Sequence, residues 1–382
     1  MKRVVQLISY ILVAALASMA TMALSRQKPD DSYDKLEQIN QIVEQYYIGQ
    51  ADETKMLDAA AAGMIGALED RWSYYMTAED YNAYLEQLKN AYVGIGVTIV
   101  VREDGYFEVM NVTAGGPAEE AGILPGDILV AVEGEDCAQL GLDETRNRIR
   151  GTSGSKVKIT VRTADRDREL EIVRRQIETV VAKGEMLDNG IGLITIVNFE
   201  KRCAKETIGH IEQLLKQGAN ALIFDVRFNP GGYKDELVAV LDYLLPEGPL
   251  FRSLDYAGKE TVDSSDAACL DIPMAVLIND NSYSAAEFFA AAMAEYDAAV
   301  TVGTATTGKG RFQTSFRLDD GSAIVLSIGE YCTPNGVSLA GVGLTPDIAL
   351  DLEEEEYMQL YYGELAREND DQLQAAIQAL LN

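Results

Sequence analysis

After residue 185, short unbroken apolar runs alternate with segments of helical period, and this alternation constrains the fold more than any other feature. IGLITIV, NALIFDVR, MAVLIND and AAVTVG are the apolar runs, separated by KETIGHIEQLLKQG, KDELVAVLDYLL and AAEFFAAAMAEY. A strand apolar on both faces must be covered on both faces, as in a parallel sheet between helices. The region is therefore predicted as an α/β domain, with a strand pair around FQTSFRL and AIVLSIGEY. An acidic run, EEEEY, and a helical segment follow it.

From Tyr92 the pattern is different. GVTIVV, YFEVMNV, DILVAVEG, KVKITVRT and RELEIVRR are short β runs, separated by AGGPAEEAG, LPGD and a helix-like LDETRNRIRG. Such spacing predicts a small, partly open barrel. Gly94-Ile95-Gly96-Val97 precedes the first strand, and two glycines there let successive backbone N–H groups point into one hollow suited to a carboxylate. Alone, that pair also reads as an ordinary turn. The order GIGV, then GPAEEAGILPGDILVAVEG, then a helix ending in RIRG resembles a PDZ domain over residues 92–178. The resemblance implies a groove where a peptide adds as a β-strand, its C-terminal carboxylate held by the GIGV loop.

Charge and histidine content remove whole classes of chemistry. With 32 Lys+Arg against 61 Asp+Glu the formal charge is −29, a field that repels phosphate backbones, so no nucleic-acid partner is expected. His210 is the only histidine, which excludes sites built on two. A Ser-His-Asp triad would have to recruit it from the helical-looking run TIGHIEQLLKQ, where an exposed helix position is the expectation. Cys137, Cys203, Cys269 and Cys332 lie far apart without a CxxC, indicating neither a metal cluster nor a disulfide framework. Chemistry without histidine, metal or cofactor is expected.

Met1-Lys2-Arg3 precedes an apolar run from Val4 to Leu24, so residues 1–25 read as a signal peptide or signal anchor. Small residues from Ala15 to Ala20 suit a signal peptidase, while the run is also long enough to span a core of about 30 Å. The protein is expected to be exported, either secreted or anchored at the extracytoplasmic face of the cell membrane. Residues 31–91 read as a helical region: YDKLEQINQIVEQYY has three- and four-residue apolar spacing, and YYMTAEDYNAYLEQL is predicted to start another helix with Thr77 as its N-cap. No chemistry stands out there, and packing or subunit contact is the expectation.

Three motifs stand at strand ends. Asp225-Val226-Arg227-Phe228-Asn229-Pro230-Gly231-Gly232 is a tight loop whose glycine N–H groups could stabilise an oxyanion, or a plain turn. Asn281-Ser282-Tyr283-Ser284-Ala285-Ala286-Glu287 sets a serine at a strand-to-helix turn, as a nucleophile or as an N-cap. The run from Gly303 through Gly308, Lys309 and Gly310 mimics a phosphate loop, but position 310 lacks the hydroxyl for magnesium and a strand follows instead of a helix. A lysine buried there without an acid partner would become a general base. Ser-Lys catalysis needs no histidine.

Together, Ser284, Lys309 and Gln313 resemble the site of the C-terminal processing peptidases, the tail-specific proteases, in which a SASASE-like turn carries the nucleophile and GKGxxQ the lysine and a glutamine that orients it. DVRFNPGG, LEDRWSYYMTAEDY, YCTPNG and GVGLTPDIAL resemble further family segments, so the resemblance covers almost the whole chain after residue 35. It implies a crotonase-like (ClpP/crotonase-type) α/β protease core over residues 179–350 with the PDZ domain inserted, and an acidic helical tail over 351–382. The implied roles are Ser284 as nucleophile, Lys309 as base and Gln313 as its orienting residue. Backbone N–H groups of Ala285 and Gly232, or Gly231, would form the oxyanion hole, and Gly94, Ile95, Gly96, Val97 and Arg150 would contact the peptide. Arg150 reads either as a sensor of the bound tail or as a cation at a helix C-terminus. Tyr283 and Ala286 depart from the small residues of the serine turn, and Tyr283 could narrow the cleft. The expected partners are proteins or peptides with free C-termini, and homo-oligomerisation stays open. A catalytically inactive PDZ scaffold and an acyl-thioester enzyme are the competing readings.

Overall fold

The computed structural model describes residues 34–164 and 166–381; the predicted export segment lies outside them. Two compact units divide at Met64. In the first, helix Asp34–Tyr46 carries Leu36, Ile39 and Ile42 at the predicted spacing, and none of its residues is buried. Helix Glu53–Gly66 starts in the same unit and is likewise unburied.

In the second unit the predicted α/β alternation forms a six-stranded sheet. Its order is Ala182–Met186, Ile191–Ile196, Ala221–Asp225, Met274–Ile278, Ala299–Gly303 and Ile348–Ala349. Only the first pair is antiparallel; every other neighbour is parallel. The continuous apolar runs are explained by two buried faces. Ile194, Ile196, Leu222, Phe224, Met274, Val276 and Ile278 face the helices Cys203–Lys216, Lys234–Leu244 and Ala285–Glu295. Their neighbours Ile191, Leu193, Ile223, Ala275 and Leu277 face Leu373, Ala376 and Ile377 of the last helix, Asp371–Leu381. Burying such side chains stabilises a fold by about 1.5–3 kcal/mol each.

The segment expected as an acidic helical tail over 351–382 ends in this helix, which is part of the core. It covers the second face of the sheet and is tied there by Arg227, whose guanidinium pairs with Asp225 (2.7 Å) and Asp370 (2.8 Å) and bonds Gln372. The acidic composition hid a segment that three buried apolar residues make part of the core.

A second sheet is organised on the long strand Ala323–Cys332, which pairs antiparallel with Tyr74–Met76, Gly248–Asp255 and Arg311–Arg317; Glu260–Ser265 extends it. The helix expected within YYMTAEDYNAYLEQL, with Thr77 as its N-cap, is present, but no strand was expected before it. The helix starts at Ala78, where the Thr77 hydroxyl accepts from the Asp80 N–H at 3.1 Å, and the preceding residues bond as a strand. The pair Gly248–Asp255 and Glu260–Ser265 was not legible, because the second strand, ETVDSS, has almost no apolar residue.

The predicted barrel enters through Ala91–Gly94 and leaves through Arg175–Glu178, which pair antiparallel, so both ends of the insertion lie side by side. Its strands run in the order Val97–Val101, Phe107–Val112, Ile128–Val132, Lys156–Thr163 and Arg166–Val173 around buried Ile95, Phe107, Leu129, Val157 and Ile159. Val97–Val101 is an edge strand beside helix Cys137–Ile149, leaving a groove of about 270 Å³ between Ile95, Val97, Ile99, Arg146 and Ile149.

Candidate active site

The parallel strands deliver their motifs to one end of the sheet, where loops can meet. Asn229 builds the first loop: its amide donates to the Ile196 carbonyl (2.7 Å) and its Oδ1 accepts from the Gly231 N–H (2.8 Å). Both glycines are required. A Cβ on Gly231 (φ +89°) would lie 2.7 Å from Ser284 Cβ, and one on Gly232 would lie 2.2 Å from the Phe199 carbonyl carbon. The second loop is stitched to the first through the Ser282 hydroxyl, which donates to the Val226 carbonyl (2.8 Å), and through the Tyr283 N–H, which donates to the Asn229 carbonyl (3.1 Å).

Ser284 is the N-cap residue of helix Ala285–Glu295, held at φ 59°, ψ −125° and only 6% exposed. A non-glycine residue in such a conformation stores strain that the surrounding contacts must hold. Among the described residues, neither the Ala285 N–H nor the Gly232 N–H has a hydrogen-bond acceptor. The two N–H groups are therefore free beside Ser284, whereas Gly231, the alternative expected from the sequence, has its N–H occupied by Asn229.

Sequence reasoning missed the residue that joins serine and lysine. The Glu287 carboxylate is completely buried and accepts from the Ser284 N–H (2.9 Å), the Lys309 N–H (2.9 Å), the Gly308 N–H (2.7 Å) and the Thr306 hydroxyl (2.5 Å). Burial pushes its pKa up while these four donors oppose the rise. The available signal was its place at the third position of the helix, reaching back to the N-cap. The same bonds explain the phosphate-loop mimicry. The N–H groups of Gly308 and Lys309 bind an internal carboxylate, and Gly303 is glycine because a Cβ would meet the Ile278 carbonyl oxygen at 1.9 Å.

Burial brings the Lys309 amine down to about 8, with Arg71 pushing the same way and Glu287 and Asp70 opposing. Its Nζ rests 4.6 Å from the ring centroid of Trp72 and 5.7 Å from that of Tyr283, not in a hydrogen bond with Ser284. The segment before Tyr74, expected to serve packing or subunit contact, thus contributes to the site. Gln313, expected to orient Lys309, donates instead to the Arg311 carbonyl (3.0 Å) and Ser327 Oγ (3.1 Å). A second missed residue is Tyr331, packed against Phe251 and Phe288 and stacked on Phe312, with its hydroxyl toward Ser284; burial pushes its phenol well up. Tyr283 also lines a pocket of about 400 Å³ with Phe228, Pro230 and Tyr357. His210 is half-buried on its helix against Gly184 rather than fully exposed.

In the inserted domain the Ile95 and Gly96 carbonyls accept from Ala118 and Thr113, which fixes the GIGV loop at the end of the groove. Arg174 donates to the carbonyls of Arg148 and Ile149, so it fills the helix C-terminal role considered for Arg150. Arg150 instead lies over Tyr92 (5.3 Å). It lines both the groove and a cavity of about 630 Å³ with Glu86, Asn90 and Thr179.

The model of peptidase family S41 matches residues 190–350, that of the PDZ domain residues 108–163, and that of the activating protease CtpB N-terminal domain residues 11–80. The carboxy-terminal processing protease CtpA of Bacillus subtilis is 32% identical over 376 residues, covering 95% of this chain and 80% of that protein. The chain belongs to peptidase family S41. It is a serine-type peptidase of the C-terminal processing group with a PDZ domain. A probable CtpA-like serine protease of Staphylococcus aureus is 30% identical, covering 90% of this chain and 71% of that protein. The fold alone is shared with a putative S41 protease from Bacteroides fragilis at 16% identity and a TM-score of 0.55, covering 87% of this chain and 92% of the other.

Proposed function

We propose that this S41 peptidase is an exported endopeptidase that captures protein C-termini in its PDZ groove and cleaves with a Ser284–Lys309 dyad. In the reaction, neutral Lys309 takes the Ser284 proton as Oγ attacks a peptide carbonyl. The Gly232 and Ala285 N–H groups receive the oxyanion; loss of one such donor typically costs about 10²–10³ in rate. Lys309 passes the proton to the leaving amine, and water then releases the acyl group from Ser284. Parallel strands with helices on both faces favour a crotonase-like description of the core. The observation that carries the reading is the pair of unoccupied N–H groups beside a strained, buried serine. Export rests on the basic, then apolar, N-terminus alone. The test is cleavage of an unfolded protein by Ser284→Ala, Lys309→Ala and His210→Ala. The first two should be inactive and folded and the third fully active; loss of activity in a stable His210→Ala would refute the dyad.

A further inference from the structure

We propose that the rings of Trp72 and Tyr283 form a seat that stores the Lys309 ammonium away from Ser284, and that Trp72 acts as a positioning residue which Lys309 leaves to become the base. The inference rests on the reading of Lys309 as base and adds what holds it when idle.

Three observations carry it. The Lys309 Nζ lies 4.6 Å from the Trp72 centroid and 5.7 Å from that of Tyr283, and these two rings stand 5.8 Å apart at 32°. Among the described residues no carboxylate forms an ion pair with Nζ, and the Gln313 amide is engaged elsewhere. The lysine backbone is not free to carry the amine to the serine, because one Glu287 oxygen accepts from both the Ser284 and the Lys309 N–H. Only the side-chain torsions of Lys309 remain for the move.

The ring faces attract a cation and are indifferent to a neutral amine. Losing the proton therefore does two things at once: it makes the amine basic and removes the force that keeps it on the rings. Other groups act on the same charge. Glu287 and Asp70 favour the ammonium, Arg71 disfavours it, and Tyr283 is a neutral phenol whose ionisation is pushed up by burial. Arg71 also lies over Trp72, its guanidinium carbon 4.3 Å from the ring, and Arg311 stands 3.9 Å from Asp70. A cation–π contact between exposed and desolvated limits favours the seated form roughly two- to thirtyfold. Removing the ring should lower the Lys309 pKa and move the acid limb of activity to lower pH, by about 0.3–1.5 units.

Trp72 is the only tryptophan in the chain, so its emission reports on the seat directly. In Ser284→Ala protein, emission excited at the red edge of indole absorption should titrate between pH 6 and pH 9. In the Ser284→Ala, Lys309→Met double variant it should be flat, and equal titration in both proteins would overturn the proposal. This arm needs no activity, so it stands if the dyad reading fails, whereas an active Lys309→Ala would sink that reading alone. The second arm compares kcat/KM against pH. Trp72→Leu should shift the acid limb down and Trp72→Phe, which keeps a ring, should shift it less. A Trp72→Leu limb that coincides with the wild type, with only the plateau lowered, would reduce Trp72 to a packing residue.

Discussion

Replacing Lys309 by Met should stabilise the protein by an amount that depends on pH in a calculable way. Burial draws the Lys309 pKa from 10.5 in the open chain to about 8 in the folded one. At roughly 1.4 kcal/mol per pH unit, that difference corresponds to about 3 kcal/mol of stability. The folded pKa is the lower of the two, so between 8 and 10.5 the unfolded chain holds the proton and the folded chain does not. Stability from this group is therefore fully present above 10.5 and is lost as pH falls through 8. Methionine keeps most of the apolar stem and cannot be charged, so the Lys309→Met variant lacks this dependence. Both proteins are made with Ser284→Ala to prevent self-cleavage, and titrations they share cancel in the comparison. Urea unfolding at pH 7 and pH 9.5 should show the protein that retains Lys309 gaining about 2 kcal/mol on the Lys309→Met variant as pH rises. A difference constant to within about 0.5 kcal/mol, or one of the opposite sign, would refute the claim that Lys309 is buried as a destabilised ammonium.

Glu287→Gln should lower kcat by at least about tenfold and destabilise the fold by about 1–3 kcal/mol, since an amide turns one acceptor oxygen into a donor facing donors; wild-type kinetics and thermal unfolding would contradict its role in joining the two loops. Gly231→Ala should abolish cleavage, because its Cβ would press on Ser284 Cβ at 2.7 Å, and turnover near the wild-type rate would show that the serine can shift at no cost. Amidating a peptide's C-terminus should weaken its cleavage, and Arg150→Ala should lower turnover without unfolding the domain, because Arg174 caps the helix. Equal cleavage of acid and amide peptides would remove the groove from substrate choice.

The division between sequence and structure follows the range of the interactions involved. Local pattern was enough for the α/β core, the small β-rich insertion and the Thr77 cap, because each is written in spacing along a single segment. The motifs that carry Ser284 and Lys309 could be picked out for the same reason: strand-end loops hold their residue types at fixed separations. The sequence did not determine which glycine N–H stays free, since that depends on an Asn229 side chain two residues away folding back onto Gly231. Nor did it reveal the last helix as part of the core, for burial of Leu373, Ala376 and Ile377 depends on a sheet face built from the distant strands that carry Ile191, Ile223 and Leu277. Glu287 and Trp72 are the plainest cases. One is a carboxylate in a helical run and the other an aromatic before a short strand, and neither position carries a local signature of its role. Only the tertiary structure brings a carboxylate to four donors from two loops and lays an indole from residue 72 on the amine of residue 309, because hydrogen bonds and ring contacts depend on distance in space and not on distance along the chain.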